Sequence, residues 1–168
     1  MINTPRLRCM IGWLGIALPW IVIPLVGKVP TSISATWYSA QAVTPFMIIL
    51  GAAAFLLISY KGYNWIDDLV NTVAGLAALV ICLCPCGGSE FWDLPHEAVG
   101  TFGLDIHTSG TIHNCAAFVF FALLAVNSLF LFTKTDGNMT REKKIRNIIY
   151  RVCGVGMCAV FLLLIPIF

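Results

Sequence analysis

Residues 66–84 read IDDLVNTVAGLAALVICLC, a stretch that is polar only in its first seven positions and apolar or small from there on. A helix needs about 20 mostly apolar residues to cross the hydrocarbon core of a bilayer, which is roughly 30 Å thick. This stretch has that length, and polar segments flank it on both sides. It therefore predicts a transmembrane helix, and the other apolar blocks of the chain follow the same pattern.

The composition of the whole chain agrees with this interpretation. Of 168 residues, 59% are hydrophobic and 11% are charged, against roughly 45–50% and about 25% in ordinary soluble domains. We expect an all-α, polytopic transmembrane bundle that forms a single domain over 1–168. The predicted helices cover about 10–26, 43–60, 66–84, 111–133 and 148–168, with an extracytoplasmic loop at 85–110 and a basic cytoplasmic loop at 134–147.

The lysines and arginines sort by side in this five-helix layout. Nine of the ten fall on one side, and only Lys28 falls on the other. Because positively charged loops stay in the cytoplasm, we expect the N-terminus inside and the C-terminus outside. The nine are Arg6, Arg8, Lys61, Lys134, Arg141, Lys143, Lys144, Arg146 and Arg151.

Small side chains recur at helical spacing on two of the predicted helices. Gly75 and Ala78 lie on the third, and Gly154 and Gly156 lie on the fifth. Such residues let helix backbones approach closely in lipid. We expect them to pack helices together, either within one chain or between subunits.

Polar residues on the third and fourth helices are the candidate lining of a pore. Polar groups at membrane depth are costly, so they often have a function, although they also form hydrogen bonds between helices. The candidates are Asp68, Asn71, Thr72, His113, Asn114, Asn127 and Ser128.

The candidate metal ligands are His96, His107 and His113, with Cys84 and Cys86 near them in the sequence. Zinc takes histidine, cysteine and carboxylate ligands. However, the chain has neither a CxxC pair nor an HExxH motif, which are the spacings typical of zinc sites. We therefore expect no metal and no cofactor.

Three stretches together resemble small multi-pass bacterial membrane proteins. They are PTSIS at 30–34 with Tyr38, YKGY at 60–63 with Asp67, and the stretch from Ile112-His113 through LFLFTK at 129–134 into IYRVCG at 149–154. In size and layout the chain is also similar to the membrane accessory proteins of type VI CRISPR systems. That resemblance implies a homo-oligomeric pore in the bacterial inner membrane, linked in function to an RNA-guided effector that targets RNA. The RxxxxH ribonuclease motif described for some members is absent, since no arginine has a histidine five positions later.

The leading hypothesis is thus a homo-oligomeric pore or channel without catalytic residues. Its expected partners are the lipid bilayer and other copies of the chain, and its basic segment should contact headgroups rather than nucleic acid. Alternatives are a structural subunit of a membrane complex and an intramembrane metal-dependent hydrolase. The hydrolase would use Ser32 or Ser34, Asp67 or Asp68, and His107 with His113, although the predicted topology separates the aspartates from the histidines by roughly 30 Å.

Overall fold

A computed structural model describes residues 4–87, 99–134 and 140–164. The described residues form five α-helices and no strand, which confirms the predicted all-α bundle. The helices are α1 (Thr4–Val26), α2 (Val43–Ile58), α3 (Trp65–Leu83), α4 (Ile106–Val126) and α5 (Arg141–Leu164). A short 3₁₀ helix, Ser34–Tyr38, lies between α1 and α2.

Three of the helical segments are long and apolar enough to cross a membrane: Arg6–Val26, Trp65–Leu83 and Ile106–Leu131. The helix α2 is apolar but has only 16 residues. Large apolar side chains also cover the outside of α1, where Trp13 and Trp20 are mostly exposed. Exposed apolar surface of this kind suits contact with lipid.

The helices α2 and α3 make the most extensive contact among the described helices. Asn64 caps α3 by accepting a hydrogen bond from the Asp67 backbone N–H at 3.0 Å. Asparagine followed three residues later by an acidic residue predicts this cap from the sequence alone. Further along, a Cβ atom placed on Gly75 would lie 2.6 Å from the Ala54 carbonyl oxygen of α2. Gly75 and Ala78 are both buried, so these two small residues pack helices within one chain.

The two glycines of α5 differ in their surroundings. Gly154 is buried against Leu129, whose side chain lies 2.6 Å from a Cβ placed on the glycine. Gly156 is exposed and has no atom within 4 Å of that position. Of these two residues, only Gly154 contributes to packing within the chain.

Three helices begin earlier than the sequence predicts, at Thr4, Ile106 and Arg141. The predicted starts at 10, 111 and 148 follow the apolar residues, whereas the helices extend into polar ones. At α4 the reason is a cap, because the Asp105 carboxylate accepts hydrogen bonds from the backbone N–H groups of His107 and Thr108. Each predicted loop therefore contains the beginning of the next helix, residues 106–110 of α4 in the loop 85–110 and residues 141–147 of α5 in the loop 134–147.

The far end of α4 continues as a π-helical turn, Asn127–Leu131. The Phe132 N–H donates to the Asn127 carbonyl at 2.8 Å, five residues back. A π turn inside an α-helix redirects the following side chains. Here it is followed by Phe132 and Lys134, both of which contact other helices.

Replacing Gly75 by alanine should destabilise the bundle. The added methyl group would overlap the backbone of α2, and overpacking of this kind costs about 1–3 kcal/mol. Gly51→Ala on α2 is the matched control, because nothing lies within 4 Å of its Cβ position. Thermal unfolding in detergent should show a lower midpoint for Gly75→Ala alone. Equal midpoints for the two variants would contradict close packing at Gly75.

Candidate functional site

Polar side chains cluster at both ends of the bundle. The histidine end carries Ser34, Cys84 and His113, and the basic end carries Arg8, Lys61 and Lys134. The helix α3 has 19 residues and starts at the basic end and finishes at the histidine end. At about 1.5 Å per residue it separates the two clusters by about 28 Å.

The short helix Ser34–Tyr38 is fastened to the end of α3. Trp37 donates its indole N–H to the Cys82 carbonyl at 3.1 Å, and the Tyr38 hydroxyl donates to the Cys86 carbonyl. The Ser32 side chain accepts a hydrogen bond from the Ala35 N–H at 3.1 Å at the start of the helix. These bonds fix the backbone that carries Ser34.

His113 on α4 completes the histidine end. Its side chain is almost fully buried, at 2% exposure. Nδ1 lies 2.7 Å from the Cys84 carbonyl oxygen and Nε2 lies 2.9 Å from Ser34 Oγ. Because a carbonyl can only accept, Nδ1 carries a proton, and in the neutral ring Nε2 then accepts from the Ser34 hydroxyl. A base that accepts the proton of a hydroxyl is the arrangement that activates a serine nucleophile.

An apolar cavity of about 240 Å³ lies beside this pair, between α1, α2, α3 and α4. Ser34 and Ile33 are among the residues that line the cavity, so the serine of the pair borders it. Its other lining residues are almost all aliphatic or aromatic, among them Leu14, Leu18, Phe46, Leu50, Phe120 and Leu124. A cavity of this chemistry suits a hydrocarbon chain.

The other ionisable groups near Ser34 stay neutral at physiological pH. Burial raises the pKa of the Cys86 thiol to about 11 and also raises the pKa of the Cys84 thiol. Burial raises the pKa of the Tyr38 hydroxyl to about 12, with Cys86 adding to the shift. A thiol binds metal as the thiolate, so these two cysteines are poor ligands in this environment.

The described residues contain no group of three His, Cys, Asp or Glu side chains that could hold a metal ion. His107 is exposed, and six residues along a helix turn it to a different face from His113. Hydrogen bonds from the Thr108 and His107 N–H groups lower the pKa of the Asp105 carboxyl, which serves as a helix cap. The third predicted ligand, His96, lies outside the described residues.

The aspartates of the predicted hydrolase lie at the basic end. Asp67 is buried, with 2% of its side chain exposed, and forms a 2.6 Å ion pair with Lys134. Its carboxylate also accepts a hydrogen bond from the Tyr63 N–H at 3.1 Å. Asp68 accepts from the Gly62 N–H at 2.7 Å. Neither carboxylate is near His113, so the predicted set of serine, aspartate and histidine is not brought together.

The candidate pore residues occupy several environments. Asn71, His113, Asn127 and Ser128 are buried inside one chain, whereas Asp68 and Thr72 are half-buried and Asn114 is exposed. The Asn71 side chain donates to the Asp67 carbonyl at 2.7 Å, while neither polar atom of the Asn127 side chain has a hydrogen-bond partner. Most of these residues thus belong to the interior of a single bundle.

Comparison with protein-family models, with curated proteins and with solved structures gives no match for this chain. The candidate site therefore depends on its own geometry. Sequence reasoning names Ser34 and His113 separately but does not pair them, because they are 79 positions apart in the sequence. The PTSIS motif is the sequence signal that draws attention to Ser34.

Replacing Lys134 by methionine should destabilise the basic end, because the Asp67 carboxylate would stay buried without its counter-charge. Breaking a buried ion pair from one side costs about 3–5 kcal/mol. Lys134 is itself partly exposed, so we expect the lower part of that range. Denaturant unfolding in detergent micelles measures the loss.

Lys61→Met is the matched control, since the side chain of Lys61 is 82% exposed and pairs with Asp68 at 3.4 Å. Exposed pairs of this kind contribute little to stability, so this variant should unfold like the original chain. Adding Asp67→Asn to Lys134→Met should recover part of the loss. Equal stability of the two lysine variants would show that the Asp67 pair is not a structural tie.

Proposed function

We propose that this protein is an integral membrane acyl-ester hydrolase or acyltransferase, with Ser34 as the nucleophile and His113 as its base. The observation that carries the proposal is the 2.9 Å contact between Ser34 Oγ and His113 Nε2 at the edge of an apolar cavity. The cavity supplies the second requirement, a place for a lipophilic substrate. The proposal needs neither metal nor carboxylate.

The chemistry follows from the hydrogen-bond directions. Ser34 Oγ attacks the ester carbonyl carbon and forms a C–O bond, while the hydroxyl proton moves to His113 Nε2. The bond to the leaving alcohol then breaks, and the alcohol takes that proton from Nε2. Water or a second alcohol, deprotonated in turn by Nε2, releases the acyl group from Ser34 by the same two steps. The Cys84 carbonyl holds Nδ1–H throughout and orients the ring.

The environment of the pair favours a lipid substrate. The cavity is lined by residues of α1 and α4, which each belong to a segment apolar enough to span a membrane. An acyl chain lying in it would place its carboxyl ester at the polar edge, where Ser34 lies. Soluble esters with short chains would fill little of this apolar surface and should be poorer substrates.

The substitution Ser34→Ala should abolish both ester hydrolysis and covalent labelling. The purified chain in micelles is incubated with a long-chain p-nitrophenyl ester, and separately with an alkyl fluorophosphonate, whose phosphorus bonds to an activated serine oxygen as fluoride leaves. We expect one adduct on Ser34 in the original chain and none in Ser34→Ala. His113→Gln should slow hydrolysis by about 100-fold or more, the usual contribution of a general base.

Ser128→Ala is the matched control, because Ser128 is a buried serine of α4's π turn at the opposite end of the chain's bundle. Hydrolysis and labelling should be unchanged in this variant. Thermal unfolding of all three variants monitors the fold. An original chain that neither hydrolyses the ester nor takes the label would overturn the proposal, as would full activity in Ser34→Ala.

A homo-oligomeric pore of the bacterial inner membrane, linked to a CRISPR effector, stays a prediction of the sequence. It has its own test, because a pore has to leak. If Asn127 lines a lumen, Asn127→Leu should alter the release of dye from liposomes that contain the protein. If Asn127 only fills the bundle interior, leucine should leave dye release unchanged and keep or raise stability, since it removes two unpaired polar atoms.

A further inference from the structure

A second cavity lies at the basic end and is not part of the Ser34 site. It measures about 540 Å³ and is formed by parts of the chain that are distant in sequence: the start of α1, the turn between α2 and α3, and the first three turns of α5. Five basic side chains and three tyrosines line it. They are Arg6, Arg8, Lys61, Lys143, Arg146, Tyr60, Tyr63 and Tyr150.

The charge of this cavity is one-sided. No aspartate or glutamate is among the described residues that line it. Nearby in the sequence, Asp67 pairs with Lys134, and Asp68 pairs with Lys61, so this lysine has a counter-charge. Glu142, next to Lys143 on α5, forms no ion pair among the described residues. Three of the lining bases, Arg6, Arg8 and Arg146, have no ion pair among the described residues, and like charges that converge without a counter-charge repel one another. A cavity built this way is therefore stabilised by an anion.

Arg8 is held in place for such an anion. Its Nε and Nη2 groups donate to the Tyr60 hydroxyl and its Nη1 group donates to the Phe132 carbonyl at 3.2 Å. The guanidinium carbon also lies 4.9 Å from the centre of the Phe132 ring and 5.5 Å from that of Tyr60. These bonds use three of the five guanidinium N–H groups, so two N–H groups, one on Nη1 and one on Nη2, are not used by them.

Neither partner of Arg8 removes its charge. The Phe132 carbonyl is neutral, and burial raises the pKa of the Tyr60 hydroxyl despite the opposing effect of Arg8 itself. Tyr60 is therefore a neutral phenol at physiological pH. Neutral groups hold the guanidinium plane in place, so Arg8 keeps its full positive charge at the wall of the cavity.

We propose that this cavity binds a phosphate-bearing anion, with Arg8 and Arg146 as its principal contacts. Arginine presents N–H groups in a planar fork that matches phosphate oxygens, and basic pockets between membrane helices bind lipid phosphates. Orientation by positive charge requires basic residues near the spans but does not require them to converge. Lys144 and Arg151 satisfy the orientation rule equally and do not line the cavity.

The phosphate can come from a lipid headgroup or from a soluble compound, and two probes separate these sources. Native mass spectrometry of the full chain in detergent measures retention of added phosphatidylglycerol against phosphatidylcholine. Isothermal titration with inorganic pyrophosphate measures a soluble phosphate. Preference for phosphatidylglycerol alone assigns the cavity to a headgroup, whereas binding of pyrophosphate that displaces the lipid assigns it to a soluble phosphate compound.

Variants inside and outside the cavity test whether the anion binds in the cavity or is attracted only by the overall positive charge. Arg146→Gln should weaken binding of the retained probe by about tenfold or more, the usual loss for one charge-assisted contact. Lys144→Gln removes the same charge two positions away, outside the cavity, and should change it by less than about twofold. Arg8→Lys keeps the charge but loses the fork, so we expect it to weaken binding as well, with thermal unfolding as the check on its fold.

Failure of both probes to bind would overturn the proposal. So would equal losses in Arg146→Gln and Lys144→Gln, which would show a diffuse charge effect. Ester hydrolysis at Ser34 is read out separately at the histidine end, so either proposal can fail while the other stands.

Discussion

The carbonyl groups at the end of α3 impose the constraint on which the histidine end depends. A helix leaves its last carbonyls without partners, and apolar surroundings make an unpaired carbonyl costly. Five consecutive carbonyls, 82–86, which are the last two of α3 and the three that follow it, all accept hydrogen bonds from groups elsewhere in the chain. The donors are the side chains of Trp37, Tyr38, Ser109 and His113 and the backbone N–H of Thr101. In satisfying α3, the chain draws the 3₁₀ helix and the start of α4 together, and this contact places Ser34 against His113.

The parts of the fold that the sequence predicts well are those set by local patterns. The apolar blocks predict the helices, and Asn64 followed by Asp67 predicts the start of α3 that the structure has. The predicted start of α4, at 111, was wrong because His107, Thr108 and Ser109 are polar and resemble a loop. Their polarity has a structural use instead: Asp105 caps the first two, and Ser109 turns inward to the Pro85 carbonyl at 2.9 Å.

The site itself could be predicted only in pieces. Ser34, Asp67 and His113 are all visible in the sequence as candidates, but their grouping depends on contacts across the bundle. Asp67 could be separated from His113 by topology alone, since α3 and α4 start at opposite ends. The pairing of His113 with Ser34 could not, because the path of residues 27–42 over the end of α3 follows from tertiary hydrogen bonds. The convergence of Arg8 with Tyr60 and Phe132 depends on the same kind of contact.

The two ends therefore provide different chemistry, and their distance decides how they can be used together. About 28 Å of α3 separates Ser34 from the basic cavity, nearly the roughly 30 Å thickness of a hydrocarbon core. A single lipid extends over only about half of that thickness. A lipid whose ester lies at Ser34 thus cannot also place its phosphate against Arg8. If both proposals hold, the chain binds two molecules, one at each end of the bundle, and α3 is the helix that connects the two sites.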